Sequence, residues 1–187
     1  RLDYVDYRIK KGPGIIFKWI EYTTDNRGRF GDEIPLPVTV VAKGCFLYST
    51  ELSSISIPSS VTMIDGVCFY GCGSLSSITI PSSVRVLGGC CFQDCSSLSS
   101  ITIPPAIDLI GVCCFKGCKS LSTLSIPSSV VEIGNGCFSE CDNLKSITLP
   151  SRFRSNVSDL FTDTAGSGGL PSRCNITYEE VEDYRAG

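Results

Sequence analysis

The residues with the most chemical potential in this 187-residue chain are its 12 cysteines. Their spacing says more than their number. Cys45, Cys68, Cys91, Cys114 and Cys137 recur in steps of 23, and so do Cys72, Cys95, Cys118 and Cys141. Cys90 and Cys113 start a short third column, and Cys174 stands apart. An even cysteine count in a small secreted chain usually reads as a disulfide framework. Columns at a fixed period read differently, because cysteine also serves as a small buried hydrophobe. The two long columns are therefore expected to be buried, reduced and structural. Cys90 and Cys113 are the disulfide candidates. They hold the same position in adjacent coils, about 5 Å apart by strand spacing, within the usual Cα range of a disulfide.

Other chemistry is sparse. Histidine is absent, which rules out Ser–His and Cys–His nucleophiles and histidine-containing zinc sites. The cysteines lack the paired C-x-x-C spacing of a four-thiolate zinc site. Asp65, Asp94 and Asp108 fall in three different columns, so no carboxylate pair or calcium ladder is built. Gly166-Ser167-Gly168-Gly169 has no following Lys-Ser/Thr and reads as a linker rather than a phosphate loop. No enzyme activity, metal or cofactor is expected. The net charge is −3 and the pI about 5.0. Neither fits a phosphate-tracking surface, so no nucleic-acid partner is expected. No apolar run approaches the roughly 20 residues that span a bilayer. A chain that starts at Arg1 reads as processed or as a fragment.

These columns must be positioned by a repeat. Leu52, Leu75, Leu98, Leu121 and Leu144 each open a unit, and their numbers again step by 23 without insertion or deletion. A fainter copy starts at Ile34, with Pro35, Val38, Val41, Cys45 and Phe46 one period ahead of their counterparts. A period in the twenties marks a solenoid, whose coils bury a core only by stacking. In LSSITIP, Leu75, Ile78 and Ile80 should point inward and Ser77 and Thr79 outward, with Pro81 ending the strand. Five such strands should stack into one parallel sheet. Val84 and Leu87 turn back into the core, and Gly88 permits a tight bend. Cys91 and Cys95, four apart, should share the inner face of a short helical turn beside Phe92.

The outward pairs Ser54/Ser56, Ser77/Thr79, Ser100/Thr102, Thr123/Ser125 and Ser146/Thr148 form an exposed hydroxyl ladder without aromatics. Three readings stand: a solvated face, an O-glycosylated face together with the adjoining Pro-Ser-Ser loops, or an ordered-water surface like that of ice-binding solenoids. Intact mass separates the glycosylated reading from the bare ones. The missing Trp, Tyr and Arg argue against a tight protein-recognition groove on this face.

The flanks differ from the array. Residues 1–28 form an N-terminal cap region, with a strand over Ile15–Tyr22 and turn signals at Gly12-Pro13-Gly14 and Asp25–Gly28. Residues 29–150 form the solenoid, and 151–187 a C-terminal cap and tail. In the tail the period is lost after Pro150. Val157, Leu160 and Phe161 have helical spacing, and Cys174–Val181 reads as a closing strand. Asn156 and Asn175 open glycosylation sequons.

The motif LSSISIPSSVTMIDGVCFYGC, Leu52 to Cys72, and its successors resemble the BspA-like (Treponema pallidum-type) leucine-rich repeats. That family usually has Ala where this chain has the first Cys of C-F. The resemblance implies an α/β solenoid, a leucine-rich-repeat right-handed superhelix of 23-residue coils with a parallel sheet and short helical turns. It also implies a non-catalytic extracellular or cell-surface protein for adhesion, protein binding or scaffolding, with a protein or glycan ligand. An alternative is a self-assembling subunit of a glycosylated extracellular filament. Basic Arg8, Lys10 and Lys11 near one end and acidic Glu179 to Asp183 at the other would favour a head-to-tail homo-oligomer.

Overall fold

The computed structural model describes residues 9–10, 19–162, 166 and 169–180. The linker reading of 165–169 and the cap residues 11–18 therefore fall wholly or largely outside the described residues. So do Arg8, Lys11, Glu182 and Asp183 of the head-to-tail reading. The chain opens with β1 (Ile9–Lys10) antiparallel to β2 (Trp19–Tyr22), with Ile9 opposite Ile20. The segment expected as a turn at Asp25–Gly28 is instead part of a helix, α1 (Thr24–Phe30). The reason is local. Thr23 caps the helix, and its Oγ1 accepts from the Asn26 N–H while its own N–H donates to Asn26 Oδ1 at 3.0 Å. That reciprocal capping box satisfies donors a turn would leave to water.

The array then winds in coils of ~23 residues carrying short strands. These are β3 (Val40–Val41), β4 (Met63–Ile64), β5 (Ser77–Thr79), β6 (Val86–Leu87), β7 (Ser100–Thr102), β8 (Leu109–Ile110), β9 (Thr123–Ser125), β10 (Glu132–Ile133) and β11 (Ser146–Pro150). The longest sheet does not run through the serine-rich segments. It has seven strands in the order β1-β2-β3-β4-β6-β8-β10, parallel and in register from β2 onward. It is built on the Val-x-x-Ile/Leu segment, where the sequence signalled only a return to the core. The single five-stranded sheet expected from the serine-rich segments is present in pieces. β5 pairs with β7, Ser56 bridges to Thr79, and β9 pairs with β11. Prolines 58, 81, 104 and 127 close these segments and remove a ladder donor at each coil, which keeps their strands to about three residues.

A third set of contacts joins the coils at the Cys-Phe corner. Phe46, Phe69, Phe92 and Phe115 each donate their N–H to the Cys carbonyl one coil on, at 2.8–2.9 Å. The expected short helical turn is absent here. Within a coil the bonds span three residues, as in Cys91 N–H to Gly88 O and Cys95 N–H to Phe92 O. The corner is made of 3₁₀-type turns interrupted by left-handed residues. One left-handed column is Gly44, Val67, Cys90, Cys113 and Gly136, and the other is Tyr48, Gly71, Asp94, Gly117 and Glu140. Gly88 is not a bend residue. A Cβ there would stand 2.3 Å from the Gly66 nitrogen. Glycine is needed because two coil backbones touch.

Inside, the columns stack. Leu75, Val84, Leu87, Cys91, Phe92 and Cys95 are all fully buried, and their counterparts in the other coils are buried too. The phenyl rings of Phe46, Phe69, Phe92, Phe115 and Phe138 form one offset stack with centroids 5.1–6.1 Å apart, in the range where aromatic pairs attract. Tyr22 and the Arg27 guanidinium cover its first ring, at 6.3 and 4.7 Å. The period is not lost after Pro150. After a 3₁₀ turn at Ser151–Phe153, α2 (Val157–Phe161) places Leu160 and Phe161 one period after Cys137 and Phe138. Phe138 donates its N–H to Leu160 O at 2.7 Å, and the Phe161 ring lies 5.8 Å from Phe138. A helical turn thus closes the stack, with Leu standing where earlier coils have Cys. The tail strand β12 (Asn175–Glu179) pairs in parallel register with β11 on the same chain.

Candidate functional site

The outward pairs point as the alternation requires. Ser54, Ser56, Ser77, Thr79, Ser100, Thr102, Thr123 and Ser125 are exposed, while Ser146 and Thr148 are half-buried under β12. β12 adds a sixth rung. Asn175 stands in register with Ser146 and Thr177 with Thr148, and the two threonine hydroxyls are 2.8 Å apart. Arg154 holds the strand in place, lying 4.4 Å over the Tyr178 ring and 3.2 Å from the Glu180 carboxylate. The face is not a free array of hydroxyls throughout. Beside it, Ser76 and Ser99 reach back to the carbonyls of Ser53 and Ser76 at 3.5 and 3.4 Å. In the Pro-Ser-Ser loops the second serine is a brace. Ser60, Ser83 and Ser129 donate to Val38, Val61 and Ile107 carbonyls at 2.6–2.9 Å. The first serines, Ser59, Ser82 and Ser128, are exposed. Asn175 is exposed on β12, and Asn156 is half-buried at the start of α2.

Nine cysteines are buried, all in the two long columns. In the second column each thiol donates to a phenylalanine carbonyl. Cys72, Cys95, Cys118 and Cys141 bond Phe46, Phe69, Phe92 and Phe115 oxygens at 3.1–3.2 Å. Burial pushes the Cys45, Cys114 and Cys141 thiols up to about 12 and Cys72 up to about 11, from 9.0. Such thiols are protonated hydrogen-bond donors near neutral pH, not nucleophiles. Cys90 and Cys113 are different. Both are half-buried, both lie in the left-handed region at φ 55° and 53°, and the Cys113 thiol donates to the Asn135 carbonyl at 3.8 Å.

The carboxylates do not converge. Asp65 accepts from the Gly66 N–H at 2.6 Å, and Asp108 lies 3.7 Å from Arg85. Among the described residues, no group of three or more His, Cys, Asp or Glu side chains is placed to hold a metal ion. No helix among them is long and apolar enough to cross a membrane.

One surface feature was not singled out in the sequence. At the first coils of the Cys-Phe corner, Tyr48 is 63% exposed and Leu47 44% exposed. The Tyr70 ring meets Tyr48 edge-on at 5.2 Å. Tyr48 holds φ 54°, and its ring occupies the space a Cβ on Gly71 would need, 2.4 Å away. Burial, with the Tyr48 phenol and the Asp94 carboxylate nearby, pushes the Tyr70 phenol up to about 12. The same arrangement recurs at Asp94, whose carboxylate lies over Gly117. The signal was a column in which Tyr, Gly, Asp, Gly and Glu alternate large and absent side chains. Tyr is a residue that carries binding energy at interfaces, and this pair is preset on a rigid corner. Around the solenoid edge, Asp32, Glu33, Ser54, Ser56 and Pro58 border an open groove of about 630 Å³.

The family model described as BspA type leucine-rich repeat region matches residues 33–166 in six copies. The fold is similar to that of the leucine-rich repeat protein of T. pallidum, with TM-score 0.68, 29% identity, and 91% of this chain and 83% of that one covered. A leucine-rich repeat protein from Bacteroides ovatus gives TM-score 0.58 at 27% identity, covering 79% of this chain and 47% of that chain. The pneumococcal vaccine antigen PcpA shares the fold at 18% identity and TM-score 0.53, over 70% of this chain and 42% of its own. No protein of curated function matches the chain.

Proposed function

We propose, from the premise that the chain belongs to the BspA-type leucine-rich repeat family, that it is a non-enzymatic binding module working outside the cell or on its surface. Its task in this reading is adhesion through a protein ligand. The observation that carries the reading is the exposed Leu47–Tyr48 pair, with half-buried Tyr70 edge-on against Tyr48, on a corner built of stacked turns. Large amphipathic rings with little rotamer freedom to lose are what a protein interface uses as anchors. The hydroxyl face supports a different role. It is even, nearly uncharged and lacks anchors, so it serves as a solvated wall, with Asn175 at its edge and Asn156, at the start of α2, as glycan acceptors.

The test is comparative capture. The immobilised chain and a Tyr48→Gly, Tyr70→Ser double variant are exposed to extracellular and cell-surface protein. Glycine suits the left-handed backbone at position 48, so the variant should keep its fold by circular dichroism. Binding present in the wild type and reduced at least tenfold in the variant is expected. Equal capture by both would refute the patch as the contact.

A second reading rests on one observation. β12 is the end strand of its sheet, and its far edge has no strand partner among the described residues. Such an edge can pair with a second copy, head to tail, and build a filament. Light scattering that finds only monomer at high concentration would dismiss this reading.

A further inference from the structure

The two left-handed columns at the Cys-Phe corner are occupied mainly by glycine or by side chains with a visible task. Tyr48, Asp94 and Glu140 extend over a neighbouring glycine or toward Lys116. The column of Gly44, Val67, Cys90, Cys113 and Gly136 holds cysteine in two successive coils, although glycine fits this backbone best. The backbone also sets the distance between those two cysteines. Cys90 donates its N–H to Val112 O at 2.8 Å and Cys113 donates to Asn135 O at 3.0 Å. Position for position, the coils therefore sit at the ladder spacing of about 4.8 Å, inside the Cα range of a disulfide. Both side chains leave the same left-handed backbone position, φ 55° and 53°, one coil apart. Both are half-buried at the surface, unlike the nine thiols sealed in the core. Burial raises the Cys90 thiol above its ordinary value and Asp94 adds to this, while Lys116 offsets part of it.

We propose that Cys90 and Cys113 are a redox pair whose disulfide staples two adjacent coils at the surface of the corner, formed and reversed by exchange with a small disulfide. The step balances as thiol–disulfide exchange. One cysteine loses its proton to solvent, and its thiolate attacks one sulfur of oxidised glutathione. The glutathione S–S bond breaks, a protein–glutathione disulfide forms, and the leaving thiolate takes up a proton. The second cysteine then loses its proton and attacks the protein sulfur of that mixed disulfide. The Cys90–Cys113 bond forms and a second glutathione thiol leaves. Two protein thiols are oxidised, and one glutathione disulfide is reduced to two thiols. Excess reduced glutathione drives the same steps backward.

The full chain is incubated with oxidised glutathione, then denatured and alkylated without reductant. Cleavage before Asp94 and Asp108 places Cys90 and Cys91 on one peptide and Cys113 and Cys114 on another. The expected product is the two peptides joined through Cys90 and Cys113, with Cys68, Cys72, Cys91, Cys114, Cys118, Cys137 and Cys141 alkylated and two hydrogens lost overall. The melting temperature should rise by several degrees and return when excess reduced glutathione is added. Cys90→Ser and Cys113→Ser, each alone, should stop at a glutathione adduct on the remaining cysteine, with no rise in melting temperature. Recovery of both cysteines alkylated, persistence of separate adducts on both, or a link through Cys91 or Cys114 would each overturn the proposal.

Discussion

Replacing Gly111 by alanine decides between two uses of glycine in this array. Gly111 lacks a positive φ, so alanine can adopt its backbone. If the glycine served only to ease a bend, alanine would stabilise the fold by about 0.4–1 kcal/mol, through a less flexible unfolded chain. The structure requires the opposite sign. A Cβ at 111 would lie 2.4 Å from the Gly89 nitrogen and 2.7 Å from the Gly88 carbonyl carbon and Gly89 Cα. All three are backbone atoms, and no side chain can swing away. Reaching ordinary contact means parting the coils by about 1 Å. The Gly111 N–H to Leu87 O and Cys90 N–H to Val112 O bonds, now 2.9 and 2.8 Å, would stretch beyond hydrogen-bonding length. Two such bonds contribute about 1–3 kcal/mol net. Taking mid-range values, about 2 kcal/mol lost less about 0.7 gained, the net loss is about 1.3 kcal/mol, or roughly 3–5 °C in melting temperature. Gly28→Ala is the control. That glycine sits in exposed α1 with nothing within 4 Å of the added Cβ, and its replacement should raise stability slightly. Thermal melts followed by circular dichroism measure both. A Gly111→Ala melt equal to or above wild type would refute the close-contact argument.

Alkaline pH should unfold the chain through its buried thiols. Their folded values are raised by burial, to about 11 or 12 where Cys72, Cys45, Cys114 and Cys141 are concerned, while an unfolded thiol ionises near 9.0. The stabilisation is complete below pH 9 and is lost as the pH rises from there through 11 and 12. The loss is about 1.4 kcal/mol per thiol per pH unit. Far-UV dichroism under reducing conditions should show a cooperative loss of structure above pH 9, and a fold unchanged at pH 11 would contradict the burial. Ile101 is buried on β7 opposite Ile78. Ile101→Asp puts an unpaired carboxylate there at a cost of several kcal/mol, so a melt matching wild type would show that the inward assignment is wrong.

Much of this molecule was legible because a solenoid turns sequence separation into distance. Residues one period apart are neighbours, so the columns of Leu, Ile, Cys and Phe in the text are columns in the core. The outward Ser and Thr follow from strand alternation alone. What was not legible depends on backbone geometry that residue type does not signal. Val-x-x-Ile/Leu reads as apolar return, yet two-residue strands there carry the main sheet, because stacking repeats their hydrogen bonds coil after coil. The left-handed positions are hidden when Tyr48, Val67, Cys90, Cys113, Asp94 and Glu140 occupy them in place of glycine. The closing half-coil is disguised because Leu160 replaces a cysteine and a helix replaces the corner turns. Tyr48 and Tyr70 stand one position short of a full period apart, so no column links them. Their edge-on contact exists because Gly71 leaves room for the Tyr48 ring. The coil, its core and its hydroxyl face follow from the 23-residue period alone. Where backbones touch and which side chains cross between coils are set by the tertiary fold, since those depend on left-handed corners and ångström-scale clearances.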